Sequence, residues 1–387
     1  MRKIIFVLLL FALTVQNNFI FGLKLIDLAL IFYFLYYFFL NRIIDNDFKF
    51  ILLIFFFSII LISLLMSYGT GNHLKSTAFF YKLVFFFSCF ILFSSFTKED
   101  LIFFNKIFIF YLIIMLIYIF LINNKYMLNV LLGLNNHQEG FLVFKNGQMS
   151  INSASHLLAY VVAMTSIYYF FSIQNIYLKY SLLILSIYAT VLTGSRNPIF
   201  IYSLFFIYLF FLQTNKVKLI SILSLVFILI FSEFLDYSIF SLRSFSFLTH
   251  LTHEGIFNDM SFLSRFRKVI VVLNEYNIKI SENIIYFFIP ITHANSEVFF
   301  ADNLIAALML VIGPFFTVIF LLYLTVNILR LLRNKNHPLL IYLLCALVGN
   351  FITEFIFTSV GALITIGQYL LIKRFVHLNK LKIKNSS

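Results

Sequence analysis

Continuous apolar runs of about 18 or more residues recur along the whole sequence of 387 residues. Each run is long enough to cross the roughly 30 Å hydrocarbon core of a bilayer as a helix. The strands of a membrane barrel would instead alternate apolar and polar residues over about 10 positions, and these runs are continuous. The sequence therefore predicts an all-α polytopic membrane protein.

Composition excludes a soluble protein. Hydrophobic residues make up 62% of the chain and charged residues 11%, whereas an ordinary soluble domain carries about 25% charged residues. The sequence shows no internal repeat and no soluble domain, so residues 1–387 are predicted to form a single integral membrane domain. Cys89 and Cys345 both lie in apolar runs, which favours neither a disulfide nor a thiolate zinc site.

The runs predict about 12 transmembrane helices. The first run follows two basic residues and resembles a signal peptide, but no small-x-small cleavage site follows it, so we expect it to remain as a helix. One long extracytoplasmic loop, 237–302, separates the ninth and tenth spans. The predicted spans are 3–20, 23–40, 50–67, 77–96, 101–122, 154–173, 179–194, 198–213, 218–236, 303–325, 338–352 and 357–375.

Basic residues predict the orientation, because Lys and Arg gather at the cytoplasmic ends of spans. With the N-terminus inside, sixteen basic residues fall at inner ends and five in short outer loops. Both termini are therefore predicted to be cytoplasmic, and the net charge of +13 reflects topology rather than nucleic-acid binding. The inner residues are Arg2, Lys3, Arg42, Lys49, Lys98, Lys179, Lys216, Lys218, Arg330, Arg333, Lys335, Lys373, Arg374, Lys380, Lys382 and Lys384, and the outer ones are Lys24, Lys75, Lys125, Lys145 and Arg196.

The stretch LTGSRNP places Arg196 between two apolar segments, on the predicted outer side. A charged residue within a span costs about 2.5–3.5 kcal/mol on insertion scales, so Arg196 either snorkels to the headgroups or binds an anion. Gly194 and Pro198 favour a bend followed by a helix start. A helix start beside a guanidinium suits a phosphate or pyrophosphate, with Ser195 and Asn197 as further donors.

Part of the long outer loop, residues 261–275, has the spacing of an amphipathic helix. Arg265 and Lys268 stand three residues apart on a second face, with Arg267 nearby. This basic face either rests on lipid headgroups or forms a second anion clamp that faces Arg196. The apolar residues of the predicted first face are Phe262, Phe266, Val269, Ile270 and Leu273.

Another polar stretch, ITHANSEVFFADN, leads directly into the tenth span. His293, Glu297 or Asp302 is a candidate base that takes a proton from a sugar hydroxyl. Alternatively, Asp302 or Asn303 caps the helix that follows. The cluster HLTHE, at 250–254, does not have a recognised metal spacing, so no metal is assigned.

Three of these elements resemble the O-antigen polymerase and ligase superfamily, the Wzy-type polysaccharide polymerases. They are the outer TGSR turn, a long outer loop containing SRF, and an Asp-Asn pair leading into a helix with a glycine ten residues on. The resemblance implies a C-type glycosyltransferase-like enzyme of the bacterial inner membrane that needs no metal or other cofactor. By the same resemblance, Arg196 corresponds to the arginine that engages a lipid-linked pyrophosphate and Arg265 to the loop arginine, while His293 lies near the position of the histidine in ligase-type members.

The resemblance implies polymerisation of undecaprenyl-pyrophosphate-linked repeat units into O-antigen or capsule-type polysaccharide at the outer face of the inner membrane. Its partners would be the lipid-linked glycan, membrane lipid and a chain-length regulator. The predicted catalytic residues are Arg196, Arg265 and His293, and the predicted substrate-binding residues are Ser195, Asn197, Arg267, Asp302 and Asn303.

Three alternatives stay open. An O-antigen ligase of the same superfamily would transfer glycan to a lipid A core. A lipid-linked oligosaccharide flippase would place charges in mid-span and show related halves, whereas here nearly all charges lie at ends and in loops, with Asp27, Lys82 and Lys106 as exceptions. The third alternative is an accessory subunit without chemistry of its own.

Overall fold

The computed structural model of the protein describes residues 18–20, 23–24, 98–123, 143–145, 148–150, 155–173, 175–193, 195, 197–212, 260–288, 303–352 and 359–386. These residues are mostly helical, as expected for the all-α class. The helices are α1 (Lys98–Asn123), α2 (Ser155–Ser172), α3 (Ile176–Leu192), α4 (Asn197–Leu212), α5 (Met260–Glu282), α6 (Leu304–Arg333), α7 (His337–Ile352) and α8 (Ser359–Ser386), and a 3₁₀ helix, Ile284–Phe287, follows α5.

Two short antiparallel hairpins accompany the helices. β1 (Asn18–Ile20) pairs with β2 (Leu23–Lys24), and β3 (Val143–Lys145) pairs with β4 (Gln148–Ser150) beside α2. The prediction was wrong where span 3–20 ends and span 23–40 begins, since the first hairpin occupies these residues instead of helix. The polar QNN sequence and the glycine between the two strands favour a turn there. The rest of those two spans, and spans 50–67, 77–96 and 218–236, lie outside the described residues.

Helices occupy the later predicted spans. α1, α2, α3, α4 and α7 begin and end within three residues of the predicted boundaries. The predicted lengths were wrong for α6, which ends at 333 instead of 325, and for α8, which ends at 386 instead of 375. Both extensions carry basic residues, which are good helix formers and interact favourably with the C-terminal end of the helix dipole.

α2 is the central helix of the larger apolar core. It packs against α1, α3, α4, α7 and α8, and every residue of 157–170 is buried. A helix that is apolar on all sides is expected to be enclosed by other helices. The hydroxyl of Tyr168 donates a hydrogen bond to Asn105 Oδ1 at 3.1 Å, which joins α2 to α1.

α6 changes direction at Gly313 and Pro314. Gly313 has φ 82° and ψ 162°, a conformation that glycine tolerates, and Pro314 cannot donate the next backbone hydrogen bond. Of the described helices, α6 alone contains a stretch, Ile312–Arg333, that is long and apolar enough to cross a membrane by length and composition. The shorter apolar stretches are Ile102–Ile117, Leu157–Ser172, Ile176–Val191, Asn197–Phe211 and His337–Asn350.

α5 and the 3₁₀ helix pack on the N-terminal part of α6 and form a second apolar cluster. The helix predicted over 261–275 is therefore present, but the predicted apolar face was wrong in part: Ile270 and Leu273 are 56% and 48% exposed. The observed face is rotated because it centres on the large side chain of Tyr276, whose hydroxyl finds a partner on α6. The residues of α5 that pack are Val269, Val271, Val272, Tyr276 and Ile280.

Candidate functional site

The turn between α3 and α4 is polar but buried. Thr193 caps the end of α3, and Asn197 is the first residue of α4. Thr193, Ser195 and Asn197 each expose 3% of their surface or less. Thr193 Oγ1 donates to the carbonyl of Thr190 at 2.6 Å and accepts a hydrogen bond from the Ser195 backbone N–H at 3.3 Å. The hydroxyl of Thr193 therefore holds the backbone of the turn that contains Arg196.

A side-chain hydrogen bond joins this turn to α7. Asn197 Nδ2 donates to the carbonyl oxygen of Gly349 at 3.1 Å. The acceptor lies 152 positions further along the chain, so the bond depends on how α4 packs against α7. A buried amide donor that finds a carbonyl acceptor avoids a desolvation penalty of about 1–3 kcal/mol, so this contact favours one arrangement of the turn.

Gly349 lets α7 approach α2 closely. A Cβ atom on Gly349 would lie 2.5 Å from Tyr160 Cε2 and 3.0 Å from Ile201 Cδ1. Contacts between small residues and a neighbouring helix are a common way for helices to approach each other in a membrane. Because Gly349 has no side chain, α7 packs directly against Tyr160 of α2 and Ile201 of α4, and its backbone carbonyl accepts the hydrogen bond from Asn197.

Two hydrogen bonds hold the Tyr160 ring in place. Asn350 Nδ2 donates to the Tyr160 hydroxyl at 2.8 Å, and the Tyr160 and Thr365 hydroxyls are 2.6 Å apart. The Tyr160 oxygen accepts from Asn350, and either hydroxyl can donate in the bond between Tyr160 and Thr365. These bonds link α7, α2 and α8 beside the α3–α4 turn.

A second set of polar contacts lies deeper in the same bundle. The Tyr342 hydroxyl donates to Gln368 Oε1 at 2.9 Å, and Gln368 Nε2 donates to Thr165 Oγ1 at 2.9 Å. All three side chains are buried. Hydrogen bonds between helices in an apolar environment are worth about 0.6–2 kcal/mol each, so they specify how α7 and α8 pack on α2.

α5 is attached to α6, the helix that precedes α7. The hydroxyl of Tyr276, which is 2% exposed, donates to the carbonyl of Met309 on α6 at 2.6 Å. Leu347 on α7 packs against the same apolar cluster. Leu347 lies two residues before Gly349, the acceptor for Asn197. The turn that contains Arg196 is therefore linked to α7, and the helix that contains Arg265 is linked to α6, which itself packs against α7.

The structure describes only some of the predicted catalytic and substrate-binding residues. Arg196, His293 and Asp302 lie outside the described residues. Arg265 lies in α5, but its side chain is not among those described. Arg267, also on α5, is exposed. The two segments are joined only through the packing of α6 on α7, and the proximity of the guanidinium groups stays a prediction.

Asn303 caps α6. This confirms the alternative in which Asp302 or Asn303 caps the helix that follows. Asn303 Oδ1 accepts a hydrogen bond from the Ile305 backbone N–H at 2.9 Å, and the residue is 1% exposed. The side chain is thus used by the helix start, which is the geometry of an N-cap. Its predicted contact with substrate stays a prediction.

α5 carries four basic residues and two acidic ones. The Lys279 ammonium donates to Glu282 at 2.9 Å, and this hydrogen bond raises the pKa of Lys279. Pairing with Glu282 leaves the positive charge of α5 concentrated toward its N-terminal half. The basic residues are Arg265, Arg267, Lys268 and Lys279, and the acidic ones are Glu275 and Glu282.

Sequence reasoning missed three residues that hold these segments: Tyr160, Tyr276 and Gly349. Tyr276 has a readable signal, because it continues the spacing of Val269 and Val272 along one helical face. Gly349 and Tyr160 have no such signal, since their contact joins distant helices. Within the described residues, no group of three or more His, Cys, Asp or Glu side chains is placed to hold a metal ion.

The chain has no match among known family models, curated proteins or solved structures.

Proposed function

We propose that this protein is a glycosyltransferase of the bacterial inner membrane that polymerises undecaprenyl-pyrophosphate-linked oligosaccharide repeat units, in the manner of Wzy-type polymerases. The product is an O-antigen or capsule-type polysaccharide made at the outer face of the membrane. The observation that carries the proposal is the buried α3–α4 turn, which is anchored to α7 and in whose sequence an arginine stands between two buried residues.

The membrane arrangement is part of the proposal. We infer about 12 spans, both termini in the cytoplasm and the long loop 237–302 outside. The exposed apolar side chains of α6, among them Leu322, Val326 and Leu329, support contact with lipid. Arg330 and Arg333 in the last turn of α6 support a cytoplasmic end for this helix.

The positions of the two anchored segments support an anion site. Arg196 lies in the sequence between Ser195 and Asn197, which are both buried, and α5 carries Arg265 and packs on α6, the neighbour of α7. A pyrophosphate leaving group accumulates negative charge as its bond to the sugar breaks. Cations fixed in a partly dry site stabilise that charge far better than they would in water.

The reaction follows from these roles. A hydroxyl of the acceptor sugar attacks the anomeric carbon of the donor and forms the new glycosidic bond. The bond from that carbon to the pyrophosphate oxygen breaks, and undecaprenyl pyrophosphate leaves. His293, or a carboxylate such as Asp302 or Glu297, takes the hydroxyl proton, while Arg196 and Arg265 balance the charge of the leaving group.

The decisive experiment is a cell-free reaction of the purified protein with a lipid-linked repeat unit, read as a ladder of chain lengths. Arg196→Ala is expected to abolish the ladder while the protein level and topology stay unchanged. Arg196→Lys is expected to be poor as well, because lysine lacks the planar fork of donors. Wild-type ladders from Arg196→Ala would refute the proposal.

A deletion strain separates polymerisation from the alternatives. Single repeat units are expected to accumulate on the carrier lipid at the outer face. Accumulation of long polymer on the carrier would instead indicate a ligase, and accumulation of repeat units at the inner face would indicate a flippase.

A further inference from the structure

Asn197, for which the sequence predicts contact with substrate, also makes a structural contact. The residue is 3% exposed, and its Nδ2 donates to the Gly349 carbonyl at 3.1 Å. It is also the immediate neighbour of Arg196 in the chain. Its Nδ2 atom is therefore committed to α7, and its backbone continues directly into that of Arg196, the predicted cation.

We propose that Asn197 is a positioning residue. Its amide ties the α3–α4 turn to Gly349 and so holds the chain next to Arg196, the residue proposed to bind the pyrophosphate. The catalytic part of this assignment rests on the proposed function. The hydrogen bond between Asn197 and Gly349, here called the tether, does not depend on any activity.

The acceptor end of the tether is itself well defined. Gly349 is confined by the Tyr160 ring, against which even a methyl group would not fit, since a Cβ atom would lie 2.5 Å from Tyr160 Cε2. That ring is hydrogen-bonded to Asn350 and to Thr365. The carbonyl that receives Asn197 therefore belongs to a segment of α7 that is linked to α2 and, through Tyr160, to α8.

The other end of the turn is held locally. Thr193 Oγ1 donates to Thr190 and accepts from the Ser195 N–H. These bonds shape the backbone just before Arg196 but join it only to α3. Asn197 is the side chain on the other flank of Arg196, and it joins the turn to a different helix. Loss of its amide would leave the turn with its local shape but without this link to α7.

The size of the catalytic effect follows from the need for orientation. Misplacing a reacting or stabilising group by about 1 Å costs on the order of 100-fold in rate. Asn197→Ala is therefore expected to lower kcat by about 10- to 100-fold and to change KM little, because the bulk of the lipid-linked substrate binds elsewhere.

A matched control separates positioning from general destabilisation. Asn175 caps the opposite end of α3, where its Oδ1 accepts hydrogen bonds from the N–H groups of Tyr177 and Leu178 at 3.0 and 3.2 Å. Asn175→Ala is the same substitution on the same helix and also removes side-chain hydrogen bonds. It lies at the end of α3 remote from Arg196, so kcat is expected to stay at the wild-type level.

The experiment has two readouts on full-length protein in proteoliposomes. The first is hydrogen–deuterium exchange of the peptide that covers residues 190–200, which tests the tether without any reaction. The second is the chain-length reaction with a lipid-linked repeat unit, measured for Asn197→Ala alone and in an Arg196→Lys background. If Asn197→Ala does not fold, Asn197→Ser replaces it, since serine keeps a polar group in the buried site but is too short to reach Gly349.

The expected result is faster exchange of the turn and a lower kcat in Asn197→Ala, neither of which occurs in Asn175→Ala. In the Arg196→Lys background, the further loss from Asn197→Ala is expected to fall to about twofold or less, because the two residues act through one guanidinium. Unchanged exchange would overturn the tether. Faster exchange with an unchanged kcat, or a full loss in both backgrounds, would overturn the positioning role while leaving the proposed function in place.

A wild-type protein that makes no ladder would refute the proposed function instead, and the positioning role with it. The exchange measurement would still report on the hydrogen bond between Asn197 and Gly349. The two failures are therefore distinguishable.

Discussion

Gly349→Ala tests the close approach of α7 to α2. The new Cβ atom would lie 2.5 Å from Tyr160 Cε2 and 2.8 Å from Cδ2, whereas carbon atoms in good contact are about 3.5–4.0 Å apart. The overlap is thus about 1 Å. The tyrosine ring cannot turn aside freely, because its hydroxyl is bonded to Asn350 and Thr365.

The expected change in stability combines three terms. Overpacking a well-packed core costs about 2 kcal/mol, and loss of one Tyr160 hydrogen bond costs about 1 kcal/mol. Replacing glycine with alanine inside a helix stabilises by about 1 kcal/mol. The sum predicts a net destabilisation of about 2 kcal/mol for Gly349→Ala.

Thermal unfolding of the purified protein in detergent, followed as loss of the monodisperse peak on size exclusion, measures this change. Ser203→Ala on the exposed face of α4 is the matched control, since it also raises helix propensity but does so at the surface. Combining Gly349→Ala with Tyr160→Leu removes the overlapping ring atoms, so the double variant is expected to be more stable than the sum of the single changes. A Gly349→Ala protein as stable as the wild type would refute the packing argument.

Three further substitutions have expected outcomes. Tyr276→Phe removes the 2.6 Å hydrogen bond to the Met309 carbonyl and is expected to destabilise the attachment of α5 to α6 by about 1–2 kcal/mol. The measurement is hydrogen–deuterium exchange across 260–282, which is expected to become faster; unchanged exchange would contradict the role of this bond in holding α5. Gly313→Ala places a side chain at φ 82° and is expected to cost about 1–3 kcal/mol in thermal stability, so a neutral effect would show that the bend in α6 is dispensable. Asn303→Ala removes the α6 cap and is expected to cost about 1 kcal/mol, whereas Asn303→Asp keeps an acceptor oxygen and should recover most of it.

Most of the helix positions could be predicted from the sequence. Polar interruptions and turn residues mark where α1, α2, α3, α4 and α7 begin and end, and the structure agrees within three residues. The bend at Gly313 and Pro314 follows from the backbone properties of those two residue types. The loop helix α5 was also expected, but its packing face was rotated from the predicted one, because two alternative apolar stripes run along it and only contact with α6 selects between them.

The candidate site could be predicted from the sequence only in part. The turn is recognisable in the sequence because polar and turn-forming residues interrupt an otherwise apolar stretch. These residues are Gly194, Ser195, Arg196, Asn197 and Pro198. The sequence did not indicate that Asn197 reaches α7. The same holds for the tyrosine hydroxyls, since a buried polar group in an apolar segment shows that a partner is needed without showing which partner it is.

The class of structure and the approximate helix boundaries were determined by the sequence alone, because hydrophobicity and turn propensity are properties of residues and their close neighbours. Which helices touch was decided by the tertiary structure. The physical reason is that exposed and core-facing side chains are equally apolar in these helices, so periodicity does not distinguish the buried α2 from the exposed stretch of α6. Contacts such as that of Asn197 with Gly349, 152 positions apart, exist only once the helices have packed.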